Sequence, residues 1–292
     1  MSKPIPNVLT IAGVDPSGGA GVLADVKAFS ALGAYACAVV AALTAQNTRA
    51  VTGVLPIAPE FIARQIDTLF ADVRIDAVKI GMLGEAPVIA TVAERLRHWK
   101  AERVVLDPVM VAKSGDALLA KAAVGALREA LVPIALVITP NLPEAGVLLE
   151  SRGPESVKEM TRAAERLHGL MGSGERWVWL KGGHLPGADA TDLLFNGDRM
   201  IEMSQPRVAT KNTHGTGCTL SAALAALLPR WPDVPTAAKH AKEYLTQALR
   251  HADALDVGQG HGPVHHFHAL WSTAAGQPAT ETQFDQAALK RR

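Results

Sequence analysis

Short, nearly all-apolar runs alternate with longer amphipathic ones along most of the chain. Residues 8–12 (Val-Leu-Thr-Ile-Ala), 36–43, 77–80, 104–106, 136–138 and 177–180 have the character of strands buried on both faces. Between them, residues 20–32, 61–70, 88–99, 122–131, a segment from Pro143, and 157–170 read as helices. This alternation predicts an α/β fold, a mostly parallel sheet joined by right-handed crossovers with helices on both faces. Residues 193–195 and 200–203, flanking Asn196-Gly197-Asp198-Arg199, predict an antiparallel hairpin near one edge. Two long helices follow, at 216–228 and 236–254. No linker, repeat or low-complexity block divides residues 1–271, which are expected to form one domain. Residues 272–292, rich in Ala, Thr, Gln, Gly and Pro with a basic end, are expected to be a disordered tail.

Composition narrows the function classes. The 292 residues are 48% hydrophobic, with 29 basic and 28 acidic side chains, a formal charge of +1. That apolar content supplies a sizeable core and is the opposite of a disordered composition. The balanced charge lacks the basic footprint of a nucleic-acid binder. The two cysteines, Cys37 and Cys218, are too few for a disulfide scaffold and form no C-x-x-C pair. The polar, proline-broken start offers no secretory h-region, and no apolar run approaches the roughly 20 residues of a membrane span. A cytoplasmic protein without nucleic-acid or membrane partners is expected.

Ligands of open α/β sheets bind beyond the carboxyl ends of the strands. The segments that follow each predicted strand are rich in small, polar and charged residues. They are Gly13-Val14-Asp15-Pro16-Ser17-Gly18-Gly19-Ala20-Gly21, Gln46-Asn47-Thr48, Gly81-Met82, Asp107-Pro108-Val109, Thr139-Pro140-Asn141-Leu142-Pro143-Glu144 and Lys181-Gly182-Gly183-His184. Gly19-Ala20-Gly21-Val22-Leu23-Ala24 fits G-x-G-x-x-A, but its glycines lie several residues past the strand. No acidic residue ends the second strand to hold a ribose, so a helix-capping turn near a small ligand is the better reading.

The most informative segment is Thr210-Lys211-Asn212-Thr213-His214-Gly215-Thr216-Gly217-Cys218-Thr219-Leu220, which opens an apolar helix. Gly215 and Gly217 let backbone N–H groups of Gly215, Thr216, Gly217 and Cys218 converge, and the helix N-terminus adds about half a positive charge. This pattern predicts an anion hole for a phosphate. No Walker A sequence is present. Cys218, in the first helical turn, is expected to have its pKa lowered from about 8.5 and to take the proton of a substrate hydroxyl. Cys37, inside an apolar strand, reads as core. Asp107 and Glu144 could hold Mg²⁺ directly or through water, and Lys181 could neutralise a nucleotide phosphate. His265-His266-Phe267-His268 lacks a fourth ligand of clear spacing and reads as terminal packing rather than a metal site.

Taken in order, these motifs, together with Lys79-Ile80-Gly81-Met82-Leu83, resemble the hydroxymethylpyrimidine/hydroxymethylpyrimidine-phosphate kinases of thiamine biosynthesis, in the ribokinase superfamily. The resemblance runs from about residue 8 to 271. It implies a three-layer α/β/α ribokinase-like fold, usually a homodimer, that transfers the γ-phosphate of ATP with Mg²⁺. The implied acceptors are 4-amino-5-hydroxymethyl-2-methylpyrimidine and then its monophosphate. It further implies that Gly13, Asp25, Gln46, Met82 and Val109 line the pyrimidine site, with Asp25 near the hydroxymethyl group or its phosphate. Asp107, Asn141, Glu144 and Lys181 would hold Mg-ATP, and residues 215–218 the transferring phosphate. Many sugar kinases of the superfamily carry Asp where this chain has Cys218. Pyridoxal kinase is the competing reading within the same chemistry; a nicotinamide-dependent reductase and a silent pyrimidine-binding regulator are the readings from other classes.

Overall fold

The computed structural model describes residues 4–110 and 123–271. The tail expected at 272–292 and the first residue of the helix expected at 122–131 lie outside them. Six strands pair in parallel: β1 (Asn7–Val14), β2 (Tyr35–Gln46), β4 (Ala77–Ile80), β5 (Val104–Leu106), β6 (Val137–Ile138) and β7 (Trp177–Leu180). Antiparallel strands close both edges, β3 (Val51–Pro56) beside β2, and the hairpin β8 (Asp189–Phe195) and β9 (Met200–Pro206) beside β7. The sheet order is β3-β2-β1-β4-β5-β6-β7-β8-β9.

Strand periodicity sorts the apolar side chains into two cores. Leu9, Ile11, Val78, Ile80, Val104 and Leu106 face one layer, made by α2 (Pro59–Phe70), α3 (Ala86–His98), α4 (Ala123–Ala126), α5 (Leu142–Leu148) and α6 (Val157–His168). Val8, Ala77, Val105, Val137, Trp177 and Trp179 face the other, made by α1 (Gly21–Ala31), α7 (Thr216–Leu227) and α8 (Val234–Arg250). The three-layer α/β/α expectation therefore holds. Helix α7 is buried at every position from Thr219 to Leu227, which explains its Ala/Leu run over residues 222–227. Among the described residues, no helix is long and apolar enough to cross a membrane.

Four elements differ locally from the expected pattern. β2 runs past residue 43 to Gln46 because β3 supplies its outer partner. The sequence pattern hides β3, a short edge strand holding Gly53 and ending at Pro56, with five of its six positions exposed. After α4 the backbone widens into a π turn over Leu127–Leu131, then tightens at Val132–Ile134, where Pro133 has no N–H to continue a helix. The last long helix ends at Arg250, with a 3₁₀ turn at Ala252–Ala254.

Candidate active site

The connection from β1 leads to β2 on one side, whereas β4 pairs on the other, so the strand order reverses at β1. A cleft of about 480 Å³ opens beyond the carboxyl ends there. Gly13, Gln46, Met82 and Val109 line it together with Asp107, Asn141, Glu144, Lys181 and residues 215–218.

The start of α7 forms one corner of the cleft. Gly215 caps that helix in the left-handed conformation, φ +74°, and a Cβ there would collide with the carbonyl of Gly19. The first N–H groups of a helix have no intrahelical acceptor, and residues 213–218 line the cleft, with the Thr216 N–H turned to the Thr213 carbonyl at 3.4 Å. A Cβ on Gly217 would stand 3.3 Å from Lys181 Nζ and 3.7 Å from Asp107 Oδ2, so cation, carboxylate and helix N-terminus share one corner. Substituting Gly215→Ala is expected to cost about 1–3 kcal/mol of stability through backbone strain alone. The collision should also displace the turn, and thermal melts read the loss of stability directly.

Two glycine-rich loops hold each other at this corner. His214 Nε2 lies 2.6 Å from Asp15 Oδ2, and both side chains are buried. Asp15 also accepts from Ser17 N–H, Ser17 Oγ–H and Ala20 N–H. Burial would raise the Asp15 pKa, but the hydrogen bonds from His214 and Ser17 hold it below the usual range. A Cβ on Gly19 would strike the His214 ring, so Gly19 is there for close packing of the two loops.

Across from α7, Asp107 Oδ1 accepts from Lys181 Nζ at 3.0 Å and Thr139 Oγ1 at 3.1 Å, and Oδ2 accepts from Ser221 Oγ at 3.3 Å. Lys181 Nζ is 3.9 Å from Glu144. Burial opposes the Lys181 charge, yet Asp107 and Glu144 raise its pKa above the ordinary lysine value. Burial likewise opposes ionisation of Asp107, but Lys181 and Lys79 keep its carboxyl low. Glu144 behaves oppositely: burial, with Asp107 adding, overcomes Lys181 and pushes it up to about 7. Glu144 and Asn141 also form a reciprocal cap on α5, with Glu144 N–H donating to Asn141 Oδ1 at 2.9 Å and Asn141 N–H to Glu144 Oε2 at 2.8 Å.

At the far end of the cleft, Gln46 ends β2. The Thr44 hydroxyl lies 2.9 Å from the Val14 carbonyl and 3.1 Å from Gln46 Oε1, and its one proton goes to one of the two. The Gln46 amide brings one NH₂ donor and one carbonyl acceptor to this part of the cleft.

Two expectations need correction. Asp25 does not line the cleft: it sits on α1, fully buried beneath the floor, with Oδ2 accepting from Thr10 at 2.6 Å and from Lys79 at 2.9 Å. Its position five residues into α1 turns it toward the sheet, and its Oδ1 has no hydrogen-bond partner. The Cys218 thiol is not activated by the helix terminus. Burial, reinforced by Asp25 and Asp107, outweighs Lys79 and the Gly21 N–H and pushes it up to about 11.

Sequence reading also passed over Lys79, whose ammonium is fully buried and whose positive charge Asp25 reinforces against burial. A lysine inside the apolar run Ala-Val-Lys-Ile was the available signal, since such a charge is buried only when paired. Gly81 makes room for it: a Cβ there would stand 2.7 Å from Lys79 Nζ. The polar roles of Thr44 and Ser221 carried no sequence signal. The histidine cluster packs as expected: His266 is buried against Thr219 Oγ1 at 3.0 Å, and burial pushes its pKa down to about 3. Among the described residues, no three His, Cys, Asp or Glu side chains form a metal cluster.

Comparison with known proteins fits this geometry. Residues 15–265 match the family model for phosphomethylpyrimidine kinase. The chain is 54% identical over 265 residues to the hydroxymethylpyrimidine/phosphomethylpyrimidine kinase of Escherichia coli, spanning 91% of this chain and 98% of that relative. It is similar, at 34% identity and a TM-score of 0.83, to the ADP complex of Bacillus subtilis pyridoxal kinase, over 91% of this chain and 99% of the other. It is also similar to a crystal structure of phosphomethylpyrimidine kinase from Clostridium difficile, at 37% identity and a TM-score of 0.74, over 84% of this chain and 99% of that one. With a family model covering most of its length and a full-length relative identical at more than half of the aligned positions, the chain belongs to the phosphomethylpyrimidine kinase family.

Proposed function

We propose that the protein transfers the γ-phosphate of ATP to the hydroxymethyl group of 4-amino-5-hydroxymethyl-2-methylpyrimidine, and then phosphorylates the monophosphate to the diphosphate. The observation that carries this reading is a single cleft with an amide reader and apolar walls at one end, and Lys181, Asp107, Glu144 and the start of α7 at the other. Gln46 offers both a donor and an acceptor to an aminopyrimidine edge, and Met82 and Val109 flank a flat ring. Asn141, Glu144 and Lys181 form the wall for the nucleotide phosphates. The N–H groups of residues 215–218 meet the charge that develops on the transferring phosphoryl group.

Asp107 and Glu144 fit a magnesium ion: both are hard carboxylates on one wall, and Mg²⁺ takes one or two carboxylates while keeping its waters. When bound there with ATP, it supplies charge neutralisation. Asp107 needs no proton loss to serve, whereas Glu144 gives up a proton it holds near neutral pH. As the new O–P bond forms and the bond to the ADP leaving group breaks, the Cys218 side chain can receive the hydroxyl proton only in its ionised form, because burial keeps the thiol protonated at neutral pH. The reading extends to one kinase domain over residues 1–271, acting in the cytoplasm as a homodimer, a state that analytical ultracentrifugation measures directly.

The deciding experiment supplies purified protein with Mg-ATP and the pyrimidine alcohol, follows ADP release, and resolves mono- from diphosphate. Diphosphate formation is expected. The likeness to pyridoxal kinase makes pyridoxal the competing acceptor, and ADP release with pyridoxal alone would overturn the pocket assignment. Gln46→Leu is expected to raise the KM for the pyrimidine roughly tenfold, the scale of one or two lost hydrogen bonds, with the KM for ATP unchanged.

A further inference from the structure

Gln46 and the start of α7 address opposite ends of an acceptor, yet they stand on segments far apart in sequence. After α8 the chain returns past both segments and bonds to each of them. Gly260 N–H donates to Thr48 Oγ1 at 3.1 Å, and His261 N–H donates to the Thr48 carbonyl at 3.0 Å. A Cβ on Gly258 or Gly260 would collide with Thr48, so only glycine lets this strap lie on the turn beside Gln46. At its other end the Gly262 carbonyl accepts the His214 N–H at 3.0 Å, and Pro263 pairs with His214 in a parallel bridge. Asn212 closes against Gly262 and is tied through its side-chain NH₂ to Asp253 at 2.8 Å. Three residues beyond Pro263, His266 meets Thr219, the neighbour of Cys218.

The turn itself does not depend on the strap. Asn47 Oδ1 accepts from the N–H groups of Arg49 and Ala50, and Asn47 N–H donates to the Ala50 carbonyl. The contacts of Thr48 with the strap therefore dock an already folded turn against the phosphate loop.

We propose that Thr48 is a positioning residue: through the strap of residues 258–263 it sets the distance between Gln46 and the loop 212–217, and thereby the preference between two acceptors that differ in length by one phosphate. Displacements on the order of 1 Å in a bound acceptor change phosphoryl transfer strongly, and the alcohol and its monophosphate demand different separations of ring and reacting oxygen. The selectivity part of this inference rests on the function proposed above; the mechanical part does not.

The test compares Thr48→Val, which removes the hydroxyl acceptor at similar shape, with Thr48→Ser, which keeps it, and with Gly260→Ala, which lifts the strap. For each, kcat and KM are measured with the pyrimidine alcohol and with its monophosphate, and hydrogen–deuterium exchange is followed in residues 47–51 and 212–217. Thr48→Val and Gly260→Ala are expected to change the ratio of the two kcat/KM values roughly 5-fold, the scale of one net hydrogen bond, with an unchanged KM for ATP. Exchange is expected to accelerate in both segments, and Thr48→Ser to restore both readouts. An equal loss for both acceptors accompanied only by a lower Tm, or faster exchange confined to residues 47–51, would overturn the proposal. If the wild-type protein phosphorylates neither acceptor, the functional reading fails separately. The strap is then judged by exchange alone, with an unaltered 212–217 loop counting against it and an accelerated one for it.

Discussion

Cys218→Ala is expected to lower turnover at least about 100-fold, the usual scale for removing a general base. The thiol is half-buried in the first turn of α7, and its surroundings push its pKa up to about 11. At neutral pH it rests protonated, so a base role makes the rate follow the small ionised fraction. Below the pKa that fraction grows about tenfold for each unit that the pH rises. Single-turnover rates, which exclude product release, should therefore climb steeply between pH 7 and 9 in the wild-type protein. A carboxylate in the same place is ionised throughout that range, so Cys218→Asp should flatten the slope whatever its absolute rate. Near-normal turnover of Cys218→Ala would remove the base assignment and leave the N–H groups of residues 215–218, with Lys181, as the catalytic elements.

Lys79→Met should destabilise the protein by about 3–5 kcal/mol, the cost of leaving one partner of a buried ion pair alone. Lys79 and Asp25 are both fully buried, 2.9 Å apart, and Asp25 already has one oxygen without a partner. Burial is the largest influence on each: it raises the Asp25 pKa and opposes the charge of Lys79, which Asp25 then restores. Without the lysine, the carboxylate faces an apolar layer with only Thr10 to donate to it. Replacing both partners by apolar residues, Lys79→Met with Asp25→Leu, is expected to recover most of the loss. Urea unfolding of the two variants provides the comparison. Equal destabilisation by the single and double variants would show that the pair is not energetically coupled.

The parts of this protein written locally in its chain are the strand and helix alternation, the parallel sheet, and the collection of small and charged residues after the strands. Strand and helix periods express themselves within a few residues, so Val104-Val105-Leu106 or the Ala/Leu run of α7 declares its burial without knowledge of its neighbours. The glycines of residues 215–217 likewise announce a turn into a helix N-terminus. The edge strand β3 escaped notice because, with five of six positions exposed, it has no apolar face to advertise.

Only the tertiary structure decided what the charges do. The resemblance implies Asp25 at the pyrimidine site, yet it is turned beneath the floor, where Lys79 from β4 and Thr10 from β1 meet it. Cys218 looks activated by its helix, yet burial and the approach of Asp25 and Asp107 keep its proton on. Thr48 gains its partners from a strap more than 200 residues away. Local sequence specifies backbone periods, whereas the energy of a charge or an unpaired N–H depends on dielectric and on atoms a few ångströms away, which folding brings from distant strands and helices.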